Sequence, residues 1–151
     1  MRDKIKVAIA TGDPAGIGPE ISLKTALDPA VRAVCHSIVV GDQRIFARHA
    51  KSCGIKAELH PIRQIADADW SGTRINVLDC TVVDADSLAL GATSAAAGRA
   101  SITFCSEAIK AALAGEVDAV VAAPQNETSI ALAGIPFDGH QIGRASCRER
   151  V

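Results

Sequence analysis

Lys4-Ile5-Lys6-Val7-Ala8-Ile9-Ala10-Thr11-Gly12-Asp13-Pro14-Ala15-Gly16-Ile17-Gly18-Pro19-Glu20 is the stretch that decides the fold. Ile5, Val7, Ala8, Ile9 and Ala10 predict a buried strand over residues 4–11, closed by a glycine-rich turn. Pro19 follows that turn with a fixed φ suited to a first helical position. Leu23, Ala26, Leu27 and Ala30 then recur at the spacing of one helical face, before Asp28-Pro29 weakens or ends the helix.

The strand-helix unit repeats downstream. Ile38-Val39-Val40 is a second apolar run. Asp42 offers a cap for a helix with Phe46, Ala50 and Cys53 on one side, and Gly54 stands past its end. Residues 57–62 and 74–78 read as further strands, separated by an acidic connection around Trp70 that has no assignable period. Residues 92–114 predict a long Ala-rich helix with Ile102, Cys105, Ile109, Ala112 and Leu113 on its buried face, stopped by Gly115. Residues 117–123 are the most continuous apolar run and predict a buried strand ending at Pro124, after which 127–133 reads as one or two helical turns. The expected fold class is α/β, an α/β/α layered architecture around a mainly parallel sheet. In such sheets ligands bind outside the carboxyl ends of the strands, where the loops 11–20 and 124–140 both fall.

Composition narrows the function. The 151 residues are 48% hydrophobic and 22% charged, with three Phe, one Trp and no Tyr, so Ala, Val, Ile and Leu must build the core. No basic stripe interleaved with aromatics supports a nucleic-acid surface. The opening apolar segment is too short for a signal peptide or membrane span, which predicts a cytoplasmic protein that does not engage the membrane. Cys35, Cys53, Cys80, Cys105 and Cys147 are widely spaced, without a Cys-x-x-Cys pair, and read as buried free thiols. The last ten residues, from Ile142 to Val151, depart abruptly in style and carry Arg144, Arg148 and Arg150 against Glu149 alone. They resemble a translated sequencing adapter whose frame agrees one residue further back, at Gln141. Residues 1–141 are therefore expected to be the amino-terminal part of an incomplete enzyme, and 142–151 a non-native tail.

The loop from Thr11 to Glu20 places Gly12, Gly16 and Gly18 where backbone can approach a ligand, with a helix N-terminus behind them that favours anions. It has neither G-x-G-x-x-G spacing nor a G-K-[ST] ending, so neither of those phosphate-binding devices applies. The same glycines could equally only shape a tight turn, and Glu20 could only complement the first helical turn.

The run Thr11 to Glu20 resembles the opening motif of the 4-hydroxythreonine-4-phosphate dehydrogenase family. Ala133-Gly134-Ile135-Pro136-Phe137-Asp138-Gly139-His140 resembles a second segment of it. A shorter form of the first motif opens the isocitrate and isopropylmalate dehydrogenases, whose fold the family shares in outline. The resemblance spans residues 4–140. It implies NAD- or NADP-dependent oxidation of a secondary alcohol with loss of carbon dioxide, assisted by a divalent metal (zinc, magnesium or manganese). The site would be assembled between two subunits of a homodimer, and the biosynthetic members serve pyridoxal phosphate synthesis. It also implies cofactor contacts from Asp13, Gly16, Gly18 and Glu20, and contacts to a small-molecule substrate from Asn126, Glu127, Thr128, His140 and Gln141. No metal ligand or catalytic residue of the family falls within this chain, which as it stands is expected to be inactive and prone to associate. His36, His49 and His60 match none and read as surface or helix-flank histidines.

His140 falls on the family's substrate-binding His-Thr pair, and is otherwise a loop histidine facing water. Glu127 stands where the biosynthetic enzyme has Lys, and an anion there would repel a phosphorylated substrate. Pro124 to Gly134 instead resembles the terephthalate dihydrodiol dehydrogenases, an alternative within the same family. Helix-start chemistry is the bland explanation of Glu127 and Thr128. An acyl- or phosphotransferase module of similar architecture is the alternative of another class.

Overall fold

The computed structural model describes residues 4–82 and 84–137. His140, Gln141 and the tail from Ile142 lie outside the described residues. Five strands, β1 (Ile5–Ala10), β2 (Cys35–Gly41), β3 (Leu59–Ile62), β4 (Ile75–Asp79) and β5 (Ala119–Ala122), form one sheet in the order β3-β4-β2-β1-β5. All four pairings are parallel. Five helices accompany them: α1 (Gly18–Leu27), α2 (Pro29–Val34), α3 (Gln43–Ser52), α4 (Ala95–Leu113) and α5 (Glu127–Leu132).

Each strand alternates between two apolar layers. Ile9, Val39 and Val77 pack with Leu23 and Ala26 of α1 and Phe46 of α3. Ala8, Ala10, Ile38 and Val40 pack with Ala100, Phe104, Ala108 and Ala111 of α4. Right-handed crossovers explain this division. The sheet grows from β1 towards β3 by connections over the α1/α3 face. It returns through β4 to β5 by connections over the other face, and there Ile65, Ala68 and Trp70 of the β3–β4 link join the α4 layer.

Local signals account for the element ends. Asp28 ends α1 and caps α2 by accepting from the amides of Ala30 and Val31. Asp42 caps α3 through the Arg44 amide, while Gly54 and Gly115 take positive φ after α3 and α4. Trp70, in the connection without a sequence period, lies 5.0 Å from the His36 ring, with the Lys6 ammonium 5.5 Å from its own ring centre.

Four expectations need correction. The buried face of α4 is only partly the expected one: Cys105 is buried and Ala112 packs against the core, but Ile109 and Leu113 are 46% and 84% exposed, and Ala97, Gly98, Ala100, Ser101, Phe104, Ala108 and Ala111 complete the inward face. Close approach to the sheet and to α5 selects small residues along most of this face, with Phe104 the one large side chain buried there. β5 is an edge strand among the described residues, with Val121 53% exposed, so its apolar run is not buried on both faces. Beside it runs an apolar groove of about 390 Å³ lined by Val7, Ile9, Ile21, Val34 and Pro124. Ala30 is exposed, because α1 has already ended at Leu27. Of the described cysteines only Cys105 is buried, and Cys53 is exposed; all four are free, while Cys147 lies outside the described residues.

Gly98 marks the tightest helix-helix approach. A Cβ there would stand 2.0 Å from the Ser129 carbonyl oxygen, a backbone atom that cannot swing away. Gly98→Ala would add roughly 1 kcal/mol of helix propensity. Overpacking against backbone costs about 1–3 kcal/mol and should win. The variant is expected to lower the urea midpoint at unchanged slope, and a raised midpoint would contradict this packing.

Candidate ligand site at the carboxyl edge of β1 and β5

β1 and β5 are neighbours, yet their carboxyl-end loops leave in opposite directions, one to α1 and the other to α5 on the α4 side. Such a reversal opens the crevice in which open α/β sheets bind ligands. β2 and β4 form a second reversal, but it is closed. The buried Asp79 carboxylate accepts from the Gln43 amide at 3.0 Å and the Thr81 hydroxyl at 3.3 Å, with Arg63 3.5 Å away, and the Cys80 amide donates to the Gly41 carbonyl at 2.8 Å.

At the β1/β5 crevice the two motif loops touch. The Asp13 amide donates to the Pro124 carbonyl at 3.0 Å. Gly12 has φ +72°, and a Cβ on it would lie 2.2 Å from that same carbonyl oxygen. A Cβ on Gly18 would lie 2.0 Å from the Thr11 carbonyl oxygen. Gly12 and Gly18 are therefore required by the chain's own backbone, and Gly16 is the one of the three whose Cβ position has room, its nearest neighbour 3.6 Å away.

Asp13 is 5% exposed and turns inward. One carboxylate oxygen accepts from the Ala15 amide at 2.8 Å, and the other takes the Ser129 hydroxyl at 3.5 Å. Asp13 thus holds the shape of the turn rather than presenting an anion to the crevice. Glu20, on the first turn of α1, is engaged by Lys24 at 2.5 Å, and that hydrogen bond holds its carboxyl below the usual carboxylate range. It does not join Asp13.

Asn126 caps α5, accepting from the Ser129 amide at 3.0 Å. Glu127 and Thr128 follow it, both exposed on the first helical turn. Ser129 was not singled out in the sequence, yet it ties three segments together. Fully buried, it donates to Asp13 and accepts from the Ser94 amide at 3.3 Å, just before α4. An Asn-x-x-Ser spacing opening a helix was the available signal. The loop is held on another side by the Gly91 amide, which donates to the Ala15 carbonyl at 2.7 Å.

His49 also needs correction. It is 6% exposed rather than on the surface, and its Nε2 lies 3.1 Å from the Pro14 carbonyl oxygen. His36 and His60 are half-buried. Among the described residues no group of three His, Cys, Asp or Glu side chains could hold a metal ion. A cavity of about 270 Å³ at the amino ends of the strands is lined by Lys4, Arg32, Trp70 and Arg74. Arg32 is spent on the Ala26 and Gly72 carbonyls and Arg74 on Asp69, so these cations serve the fold.

The fold is that of an open, doubly wound α/β protein, with a candidate ligand crevice at the carboxyl edge of the sheet. The chain belongs to the family described as pyridoxal phosphate biosynthetic protein PdxA, which matches residues 33–145. It is 37% identical over 134 residues to a putative D-threonate 4-phosphate dehydrogenase of Symbiobacterium thermophilum, covering 89% of this chain and 40% of that protein. A 4-hydroxythreonine-4-phosphate dehydrogenase from Burkholderia phymatum superposes with a TM-score of 0.87 at 28% identity, over 93% of this chain and 42% of the other. A terephthalate 1,2-cis-dihydrodiol dehydrogenase from Burkholderia xenovorans gives 0.71 at 34% identity, over 89% and 38%. The chain thus spans about two fifths of the length of the relatives it matches. No helix among the described residues is long and apolar enough to cross a membrane.

Two measurements check this site. Ser129→Ala removes a buried hydroxyl and leaves an Asp13 oxygen and the Ser94 amide unpaired, and should cost about 1–3 kcal/mol. The denaturant midpoint reads this, and an unchanged midpoint would contradict the role of Ser129. Burial pushes the Cys80 thiol up from 9.0 to about 11. A thiol held neutral in the fold contributes stability that is full below its unfolded value near 9 and is lost as pH rises to about 11. The midpoint should therefore fall across that window, and less steeply in Cys80→Ala; identical slopes would contradict the burial of this thiol.

Proposed function

We propose that the full-length protein carrying this chain is a nicotinamide-dependent dehydrogenase. It oxidises a secondary alcohol of a small polar acid and then releases carbon dioxide, using NAD or NADP and a divalent metal, as a homodimer. The observation that supports this reading is the Asp13–Pro124 contact at the β1/β5 reversal, which sets the opening family motif against the start of the segment from Pro124 to Gly134. When bound, the nicotinamide supplies the acceptor for the substrate's hydrogen and electron pair.

The chain's own residues contribute binding. The amides of Ile17 and Gly18, at the start of α1, are the donors offered to phosphate or carboxylate, while the Gly16 amide is held by the Asp13 carbonyl and Asp13 fixes the turn that presents them. Asn126, Glu127 and Thr128 begin the opposite wall, which leads on towards His140 and Gln141. Metal ligands are expected from the part of the family's length that this chain does not span, and no step is assigned here to the metal.

The names of the curated relatives favour a phosphorylated hydroxy acid such as D-threonate 4-phosphate or 4-hydroxythreonine 4-phosphate. A specific observation favours a second substrate. The Glu127 carboxylate is exposed on the first turn of α5 and makes no ion pair among the described residues, so its charge is available to repel phosphate. A dihydrodiol carboxylate, as in the terephthalate enzyme's name, avoids a dianionic phosphate. The full-length enzyme should therefore be assayed for reduced nicotinamide and carbon dioxide with both substrate types, with each metal and with chelator. Turnover with either type that chelator abolishes is the expected result, and Glu127→Lys should shift preference towards the phosphorylated substrate. No nicotinamide reduction with any of them would overturn the reading.

A further inference from the structure

We propose that His49 is a positioning residue for the crevice: its imidazole, carried on α3, sets the β1–α1 loop at the height where Gly16 to Gly18 meet a ligand. The loop is too short to fix itself. Pro14 brings no amide of its own and is fully buried, and its neighbour Ala15 packs with Ile45 of α3 and with Ala85, Leu88 and Ala97. Asp13, Ala15 and Gly16 have backbone or carboxylate partners already. The Pro14 carbonyl is satisfied by His49 across a sequence gap of 35 residues.

A carbonyl oxygen can only accept, so this contact requires the proton on Nε2 and fixes the tautomer of the ring. The donor is itself held in place. α3 starts at the Asp42 cap, its Gln43 amide is gripped by Asp79 from β4, and Phe46, one turn before His49, is fully buried against the sheet. The contact therefore runs from the rigid carboxyl ends of β2 and β4, through one turned helix, to the middle of the glycine loop. The Ser52 hydroxyl donates to the backbone carbonyl of His49 at 3.2 Å, within the last turn of α3.

The inference rests on the proposed ligand role of the loop only in its kinetic arm, so two readouts separate the possibilities. His49→Phe keeps the ring's bulk and removes the donor, whereas His49→Gln restores an N–H able to reach the same carbonyl. In hydrogen exchange, Phe is expected to speed the amides of Ala15, Gly16 and Ile17 about tenfold beyond any change at Val39 and Val40, and Gln is expected to restore them. In the full-length enzyme, Phe should raise the KM for cofactor or substrate several-fold with kcat within about twofold, and Gln should recover it. Loop amides that exchange no faster than the core strands, or a Gln variant that behaves like Phe, would overturn the positioning role. Loop exchange that responds while KM does not would keep the positioning role and overturn the ligand role of the loop instead.

Discussion

One backbone hydrogen bond, from the Asp13 amide to the Pro124 carbonyl, governs the rest of this molecule. It joins the loop after the first strand to the loop after the last described one, across more than a hundred residues of chain. The contact is possible only because position 12 carries no Cβ, since any side chain there would collide with the same carbonyl oxygen. Parallel pairing of β1 with β5 brings the two loops to the same edge of the sheet, and their departures towards opposite faces open the space between them. Ser129, Gly91 and His49 then fasten the glycine loop from three further directions.

This arrangement changes the meaning of the motif. Read as a string, three glycines and an aspartate suggest a ligand cradle in which every residue touches something bound. In three dimensions, Gly12 and Gly18 admit the protein's own backbone and Asp13 braces the turn, leaving the segment around Gly16 as the surface that can meet a ligand. A loop fixed before binding loses little freedom when a ligand arrives.

The order of strands and helices was legible because apolar runs, caps and left-handed glycines are local signals. Asp42, Gly54 and Gly115 act where their residue types suggest. What failed was decided by distance between elements, which no local pattern encodes. The α4 face assigned by helical spacing held at Cys105 and Ala112 but not at Ile109 and Leu113, because close packing on Ser129 and the sheet selected Gly98 and the alanines. β5 has the composition of an interior strand but lies at an edge among the described residues. His49 looked like a helix-flank residue because its partner, the Pro14 carbonyl, is a backbone atom and leaves no trace in the side-chain pattern. Ser129 was hidden for the same reason, its contacts being visible only once α4, α5 and the first loop are assembled. His140 and Gln141 lie outside the described residues, so their place in the crevice remains an expectation carried by the family motif.

Family membership rests on residues 33–145, and the proposed site draws in addition on the glycine motif that precedes them. The central claim is that the site is one cleft between the β1–α1 and β5–α5 loops. A crystal structure of the full-length protein with nicotinamide cofactor and substrate bound tests it most directly. The account predicts ligand atoms within hydrogen-bonding distance of the Gly16–Gly18 backbone and of the Asn126–Thr128 turn. Ligand seated instead at the amino ends of the strands, beside Arg32 and Trp70, would contradict it.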